Sequence, residues 1–129
     1  MATVGQLMTR EISVIQEDAT LQEAAQQMQA QRIGSLLVEK NGEYAGIITE
    51  TDVVRAVAEY PDVSQLKVHT LMSSPIISLD KKLSPQYARD LMADRRIRHL
   101  AITEEGKIVG IMSVRDLLAY FKTVSKELE

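Results

Sequence analysis

Leu21, Ala24, Ala25 and Met28 recur at helical spacing, and Thr20 stands immediately before them with Glu23 three residues on. A threonine that caps the first turn, answered by a glutamate reaching back, forms a capping box, so the pattern predicts a helix beginning there. Further along, Ser84 takes the capping place and Pro85 the first helical position, with Ala88, Leu91 and Met92 as the apolar stripe, which predicts a second helix of the same kind. After each helix the period shortens. Leu36-Leu37-Val38 and Ala45-Gly46-Ile47-Ile48 are short apolar runs joined through Asn41-Gly42, a strong two-residue hairpin signal. Leu100-Ala101-Ile102 and Ile108-Val109-Gly110-Ile111-Met112 repeat the arrangement around Glu105-Gly106. A further helix then runs from Asp52 until Pro61 ends it, and its counterpart from Asp116 to about Phe121. Each stretch reads as β-α-β-β-α.

Sliding the chain against itself by 64 positions superposes Leu7-Met8 on Leu71-Met72 and holds register to Asp52 on Asp116. Ile12 falls on Ile76, Ala24 on Ala88, Met28 on Met92, Arg32-Ile33 on Arg96-Ile97, Leu36 on Leu100, Gly42 on Gly106 and Gly46-Ile47 on Gly110-Ile111. This is an internal duplication. It divides the chain into repeats 1–64 and 65–129, with a joint at Asp62 to Gln65 and a polar tail over 122–129 that extends a helix or frays. Two copies are too few for a solenoid, so the expected architecture is α/β (α+β), two β-α-β-β-α units closed on each other as a pseudo-twofold pair.

Composition narrows the chemistry. At 129 residues and 45% hydrophobic content the chain can bury one ordinary core. No run of eighteen apolar residues exists and the start lacks a secretory pattern, so no membrane span and a cytoplasmic location are expected. With no cysteine and only His69 and His99, a metal centre has few possible ligands. The net charge of −3 divides unevenly, −6 over residues 1–64 and +3 over 65–129, with a basic cluster in Asp94-Arg95-Arg96-Ile97-Arg98-His99. That cluster suffices for one or two phosphates but not for a nucleic-acid surface, and one Phe, four Tyr and no Trp provide few stacking platforms. Nucleic acid is not an expected partner.

The candidate chemistry lies where the second hairpin strand meets the last helix of each repeat: Gly46-Ile47-Ile48-Thr49-Glu50-Thr51-Asp52 and Gly110-Ile111-Met112-Ser113-Val114-Arg115-Asp116. A hydroxyl and a carboxylate recur three apart. Free amides at a helix N-terminus attract an anion such as phosphate, whereas a carboxylate there accepts hydrogen bonds from a ribose diol. The alternative is that Asp52 and Asp116 simply cap their helices.

Paired copies, Leu-Met near each start, the Gly-hydrophobic-hydrophobic-Thr/Ser-x-x-Asp end and Arg98-His99-Leu100 on the middle strand together resemble the tandem CBS-domain (cystathionine beta-synthase domain) proteins. The likeness covers about residues 4–121. It implies two units packed sheet to sheet, two clefts, and binding of AMP, ADP, ATP or S-adenosylmethionine with no required cofactor. Carried over by residue, it implies that one cleft has Ser113 and Asp116, completed by Thr9, Ser13, Ile33 and Gly34, with Arg98 and His99 facing phosphate. The other has Thr49 and Asp52, completed by Ser73, Ile77 and Ile97, with Gly34-Ser35 where the first has Arg98-His99. Loss of two cationic donors weakens phosphate binding there, so the Asp116 cleft is expected to be the tighter. The resemblance also implies a homodimer formed through helices near Thr51 to Tyr60 and Arg115 to Phe121, whose Val53, Val54, Val57, Leu117, Leu118 and Phe121 exceed the needs of one small core.

Other residues carry less. Arg32 and Arg96 match between repeats and read as surface arginines or ligand contacts, His69 as structural, the methionines as core filling, and Glu39-Lys40 and Glu104-Glu105 as solvated turn charges. His99, Ser113 and an aspartate can be assembled into a triad on paper, yet there is no nucleophile elbow, Walker loop or metal spacing, so no enzyme is expected. The expected function is a regulatory adenine-nucleotide-binding module acting on an unidentified target protein. The alternative is a ligand-free protein-interaction module.

Overall fold

The structure, a computed structural model, describes residues 1–128. In chain order the elements are α1 (Val4–Leu7), β1 (Val14–Gln16), α2 (Leu21–Gln31), β2 (Ser35–Lys40), β3 (Glu43–Thr49), α3 (Glu50–Glu59), α4 (Val68–Leu71), β4 (Ser78–Asp80), α5 (Pro85–Arg95), β5 (His99–Glu104), β6 (Lys107–Ser113) and α6 (Val114–Leu128). The strands make two three-stranded sheets, β1-β2-β3 and β4-β5-β6. In each, the first strand runs parallel to the middle one and the hairpin partner antiparallel. A parallel neighbour needs a crossover, and α2 and α5 supply it.

Local chemistry explains the element ends. The Glu23 amide donates to the Thr20 hydroxyl at 3.1 Å and the Thr20 amide to the Glu23 carboxylate at 3.3 Å, while the Tyr87 amide donates to Ser84 Oγ at 3.2 Å. Asn41 and Gly42 have φ of 53° and 80°, and Glu105 and Gly106 50° and 78°, the paired positive values of a type I′ hairpin turn. Both crossover helices end with an arginine in the left-handed region, Arg32 and Arg96, each at φ 55°. The Ile33 amide donates to the Met28 carbonyl at 3.0 Å and the Arg32 amide to Gln29 at 3.3 Å, a Schellman ending. The same bonds recur from Ile97 to Met92 and from Arg96 to Ala93. The match of the two arginines thus coincides with a chain reversal repeated in both copies.

Two helix boundaries differ from the sequence expectation. α3 begins at Glu50 rather than Asp52, and α6 begins at Val114 and continues through Leu128, so the tail is helical from Lys122 up to that point. Glu129 lies outside the described residues. The short helices α1 and α4, too brief to register as a period, lie in the segments leading into each repeat.

The chain folds into two compact units, Ser13–Ile76 and Met1–Ile12 with the residues from Ile77 onward. These do not follow the repeat boundaries 1–64 and 65–129: the leading segment of each repeat belongs to the unit built by the rest of the other. In the Ser13–Ile76 unit, Ile15, Leu21, Ala24, Met28, Leu36, Val38, Ile48 and Ala56 form the core together with Val68 of α4. The Val68 amide donates to Ala19 at 2.9 Å, and Ser73 exchanges two backbone bonds with Ile47 at 2.9 and 3.0 Å. In the second unit, Leu79, Ala88, Met92, Leu100, Ile102, Met112 and Leu117 enclose Val4 of α1. The Val4 amide donates to Leu83 at 2.8 Å, the Gly5 amide to Lys81 at 2.9 Å, and Thr9 exchanges two bonds with Ile111 at 2.8 and 3.0 Å. Val4 and Val68 are each 0% exposed, and burial of such a side chain stabilises by about 1.5–3 kcal/mol.

Two glycines permit these bridges. A Cβ on Gly46 would stand 2.8 Å from the Ser73 carbonyl oxygen, and one on Gly110 would stand 3.0 Å from that of Thr9. The glycine in each Gly-hydrophobic-hydrophobic-Thr/Ser motif is therefore where the leading segment crosses the strand.

Candidate functional site

In the unit that holds α6, the site residues converge from three elements. Antiparallel pairing sets His99, the first residue of β5, opposite Ser113, the last of β6. The Val114 amide donates to the Arg98 carbonyl at 2.8 Å, which ties the residue before β5 to the start of α6. The Thr9 bridge lies on Ile111, two residues before Ser113. The Ser113 amide and hydroxyl donate to Asp116 Oδ2 at 2.8 and 3.2 Å, and the Asp116 amide donates to Ser113 Oγ at 3.4 Å. The aspartate thus caps from inside the first helical turn. Of the expected cluster, Thr9, Arg98, His99, Ser113 and Asp116 gather at one end of this sheet. Because the first helical amide is held by the Arg98 carbonyl, anion attraction here falls mainly to the exposed Arg98 guanidinium.

The Ser13–Ile76 unit repeats the plan with different chemistry. Ser35 pairs with Thr49, and the Glu50 amide donates to the Gly34 carbonyl at 3.0 Å. Thr49 donates to Asp52 Oδ2 through its amide at 2.9 Å and its hydroxyl at 3.2 Å. Ser73 reaches the end of β3 through its bridge with Ile47. Gly34-Ser35 occupies the place of Arg98-His99, so these two positions bring no side-chain cation to this end of the strand. Asp52 is 4% exposed and Arg55 Nη1 donates to its Oδ1 at 3.4 Å, a partner that sequence reading missed although an aspartate and arginine three apart on a helix are neighbours. Ala119 stands at the matching position after Asp116.

Of the residues expected to complete each cleft from the other copy, Thr9 and Ser73 lie in the same compact unit as Asp116 and Asp52 respectively, and the others lie in the other unit. Ser13, Ile33 and Gly34 belong to the Ser13–Ile76 unit, where Ser13 Oγ donates to Gln31 Oε1 at 2.6 Å and Ile33 packs against the core. Ile77 and Ile97 belong to the unit of α6; the Ile77 carbonyl accepts from Ala101 at 3.0 Å and Ile97 packs against the core. Arg32, Arg96 and His69 are exposed. Glu104 pairs with Lys81 rather than standing alone as a solvated turn charge. Of the apolar residues expected on the outer helix faces, Val53, Leu117 and Phe121 turn to their own cores, while Val54, Val57 and Leu118 are exposed at 68%, 62% and 66%.

Among the described residues no group of three or more histidines or carboxylates is placed to hold a metal ion, and no helix is long and apolar enough to cross a membrane. Two three-stranded sheets in one chain, each ending in a hydroxyl–carboxylate turn, define the class as a duplicated α/β module with two related half-sites. The chain belongs to the CBS domain family, whose model matches residues 4–59 and 65–123. It is 32% identical over 118 residues to the CBS domain-containing protein YhcV of Bacillus subtilis, covering 91% of this chain and 84% of that protein. A CBS-domain-containing protein of Agrobacterium tumefaciens superposes with a TM-score of 0.86 at 30% identity, over 92% of this chain and 93% of that one. The hexameric CBS-CP12 protein from bloom-forming cyanobacteria superposes with a TM-score of 0.85 at 30% identity, over 97% and 75%. The CBS domain pair of protein MJ0100, solved with 5′-methylthioadenosine and S-adenosyl-L-methionine, shares the fold with a TM-score of 0.84 at 18% identity, over 95% and 98%.

Proposed function

We propose that this chain is a regulatory binding module for adenosyl ligands, drawn from AMP, ADP, ATP and S-adenosylmethionine, that transmits occupancy to a target protein. The observation that carries the reading is the convergence of Arg98, His99, Ser113, Asp116 and Thr9 at one sheet end. There a carboxylate suits a ribose diol, hydroxyls flank it, and a cation suits phosphate or carboxylate. Membership of the CBS family, and the adenosyl ligands of the MJ0100 pair, support it. Thr9 is assigned to the same ligand as Asp116, and Ser73 to the Asp52 half-site. Phosphate-bearing ligands bind more tightly at the Asp116 half-site, because Gly34-Ser35 offers the other no side-chain cation. Signalling is a population shift, in which ligand stabilises the arrangement it binds better by its difference in affinity. The module is non-catalytic and self-associates as a homodimer through the exposed apolar positions of α3 and of α6; the hexameric relative supports self-association.

Thermal unfolding of the purified protein with AMP, ADP, ATP, S-adenosylmethionine, NAD and a GMP control tests the reading. A ligand at 100 times its Kd adds about 2.7 kcal/mol to the native state, an easily read rise in melting temperature. The rise is expected with adenosyl ligands and is lost in Asp116→Ala. The exposed Val54, Val57 and Leu118 favour one other reading, a ligand-free docking module, and absence of any shift at millimolar ligand selects it.

A further inference from the structure

We infer that Arg55 is a specificity-determining residue that closes the Asp52 half-site to a ribose diol, leaving one adenosyl site per chain, at Asp116; this rests on the adenosyl reading above. To hold a diol, a carboxylate must offer acceptor capacity to two hydroxyl donors. The Asp52 side chain is 5% exposed and both its oxygens are engaged, Oδ2 by Thr49 and Oδ1 by the Arg55 guanidinium. A diol entering there must displace a charged donor and put neutral hydroxyls in its place, and a charge-assisted bond is roughly twice as strong as a neutral one. Arg55 approaches from one turn along α3, so the obstruction is built into the helix that carries the aspartate. The repeat lacks it on the other side: Ala119 takes the equivalent place on α6, Asp116 is half-buried, and its Oδ2 carries the Ser113 bonds. The duplication preserved the aspartate in both copies and the blocking arginine in one.

Calorimetric titration with 5′-methylthioadenosine separates the possibilities, because this probe presents the adenine and the diol without a phosphate that Arg55 or Arg98 could hold. Wild type is expected to bind one probe per chain, and Asp116→Ala to bind none. Arg55→Ala is expected to bind two, the second site tightening about tenfold or more once the competing guanidinium is gone. The double variant Arg55→Ala/Asp116→Ala should keep one site, which Asp52→Ala then removes. Arg55 is 56% exposed at its side chain, so its truncation leaves the fold intact, and an unchanged circular dichroism spectrum checks this. Two equal sites in wild type, one unaltered site in Arg55→Ala, or weaker binding in Arg55→Ala would each overturn the proposal, the last by making the guanidinium a ligand contact. No binding of the probe or of S-adenosylmethionine by any variant would instead sink the adenosyl reading itself.

Discussion

Replacing Gly110 by alanine tests the way the leading segment is built into its unit. The new methyl would lie 2.8 Å from Met8 Cγ and 3.0 Å from the Thr9 carbonyl oxygen. Met8 can turn aside, but Thr9 is held by its two backbone bonds to Ile111 at 2.8 and 3.0 Å. Overpacking of this kind costs about 1–3 kcal/mol. Loosening the bridge adds about 1 kcal/mol, since each net hydrogen bond contributes about 0.5–1.5 kcal/mol. Against this, the stiffer unfolded chain of the alanine variant returns about 0.4–1 kcal/mol. The net loss is about 2 kcal/mol, or roughly 8 °C in melting temperature at roughly 4 °C per kcal/mol for a chain of this length. Chemical denaturation followed by circular dichroism measures the first quantity and a thermal scan the second. The companion variant Met8→Ala/Gly110→Ala should recover part of the loss, because the close contacts to Met8 Sδ and Cγ are gone and only that to the Thr9 carbonyl remains. In a chain lacking residues 1–9, already weakened by loss of the Val4 side chain from the core, Gly110→Ala should add almost nothing. If Gly110→Ala is as stable as the wild type, or equally damaging with and without residues 1–9, the leading segment does not cross β6 at this point.

Arg32 sits at φ 55°, where a glycine avoids the Cβ penalty but gains unfolded-state freedom, so Arg32→Gly should fall within about 0.5 kcal/mol of wild type. Arg32→Val, with a branched Cβ in the same conformation, should lose about 1–2 kcal/mol; equal stability of the two variants in urea denaturation would contradict the Schellman ending. The exposed apolar positions on α3 and α6 are expected to hold copies together, so Val54→Lys and Leu118→Lys should each shift the mass measured by light scattering to that of one chain without lowering the melting temperature. An unchanged mass would remove these faces from the assembly. Hydrogen bonds from the Ser64 side chain and amide, the latter at 2.9 Å, hold the exposed Asp62 carboxyl below the usual carboxylate range. A folded pKa depressed in this way gives a stabilisation that is complete above the unfolded pKa and disappears as pH falls through the folded one. An NMR titration should show Asp62 moving back up in Ser64→Ala; no movement would dissociate the two residues.

The sequence by itself determined every feature set within a few residues of chain. The capping residues Thr20 and Ser84, the hairpin turns at Asn41-Gly42 and Glu105-Gly106, and the β-α-β-β order depend on local backbone chemistry and on the period of burial, and both are written in adjacent positions. The gathering of Arg98 and His99 with Ser113 and Asp116 was foreseeable only to within a residue: the two-residue hairpin sets the register at Thr103, but a bulge shifts it by one between Ile102 and Thr103, and only that shift sets His99 against Ser113 rather than Met112. The Asp52–Arg55 contact could have been found from helical spacing alone, but its weight could not, because only burial to 4% turns an ordinary i,i+3 pair into an engaged carboxylate. The ownership of the leading segments was decided by tertiary structure. Self-similarity at 64 positions is unchanged when Val4 to Thr9 and Val68 to Ser73 exchange places, because both carry the same pattern of valine, leucine and methionine. Which core each short helix fills is a contact between residues distant in the chain, such as Val4 with Leu79 and Leu117, and periodicity carries no record of it. The same limit applied to the outer helices: Val53 and Val54 are the same residue type, and the rotation of α3 on its sheet turned one to the core and left the other at the surface.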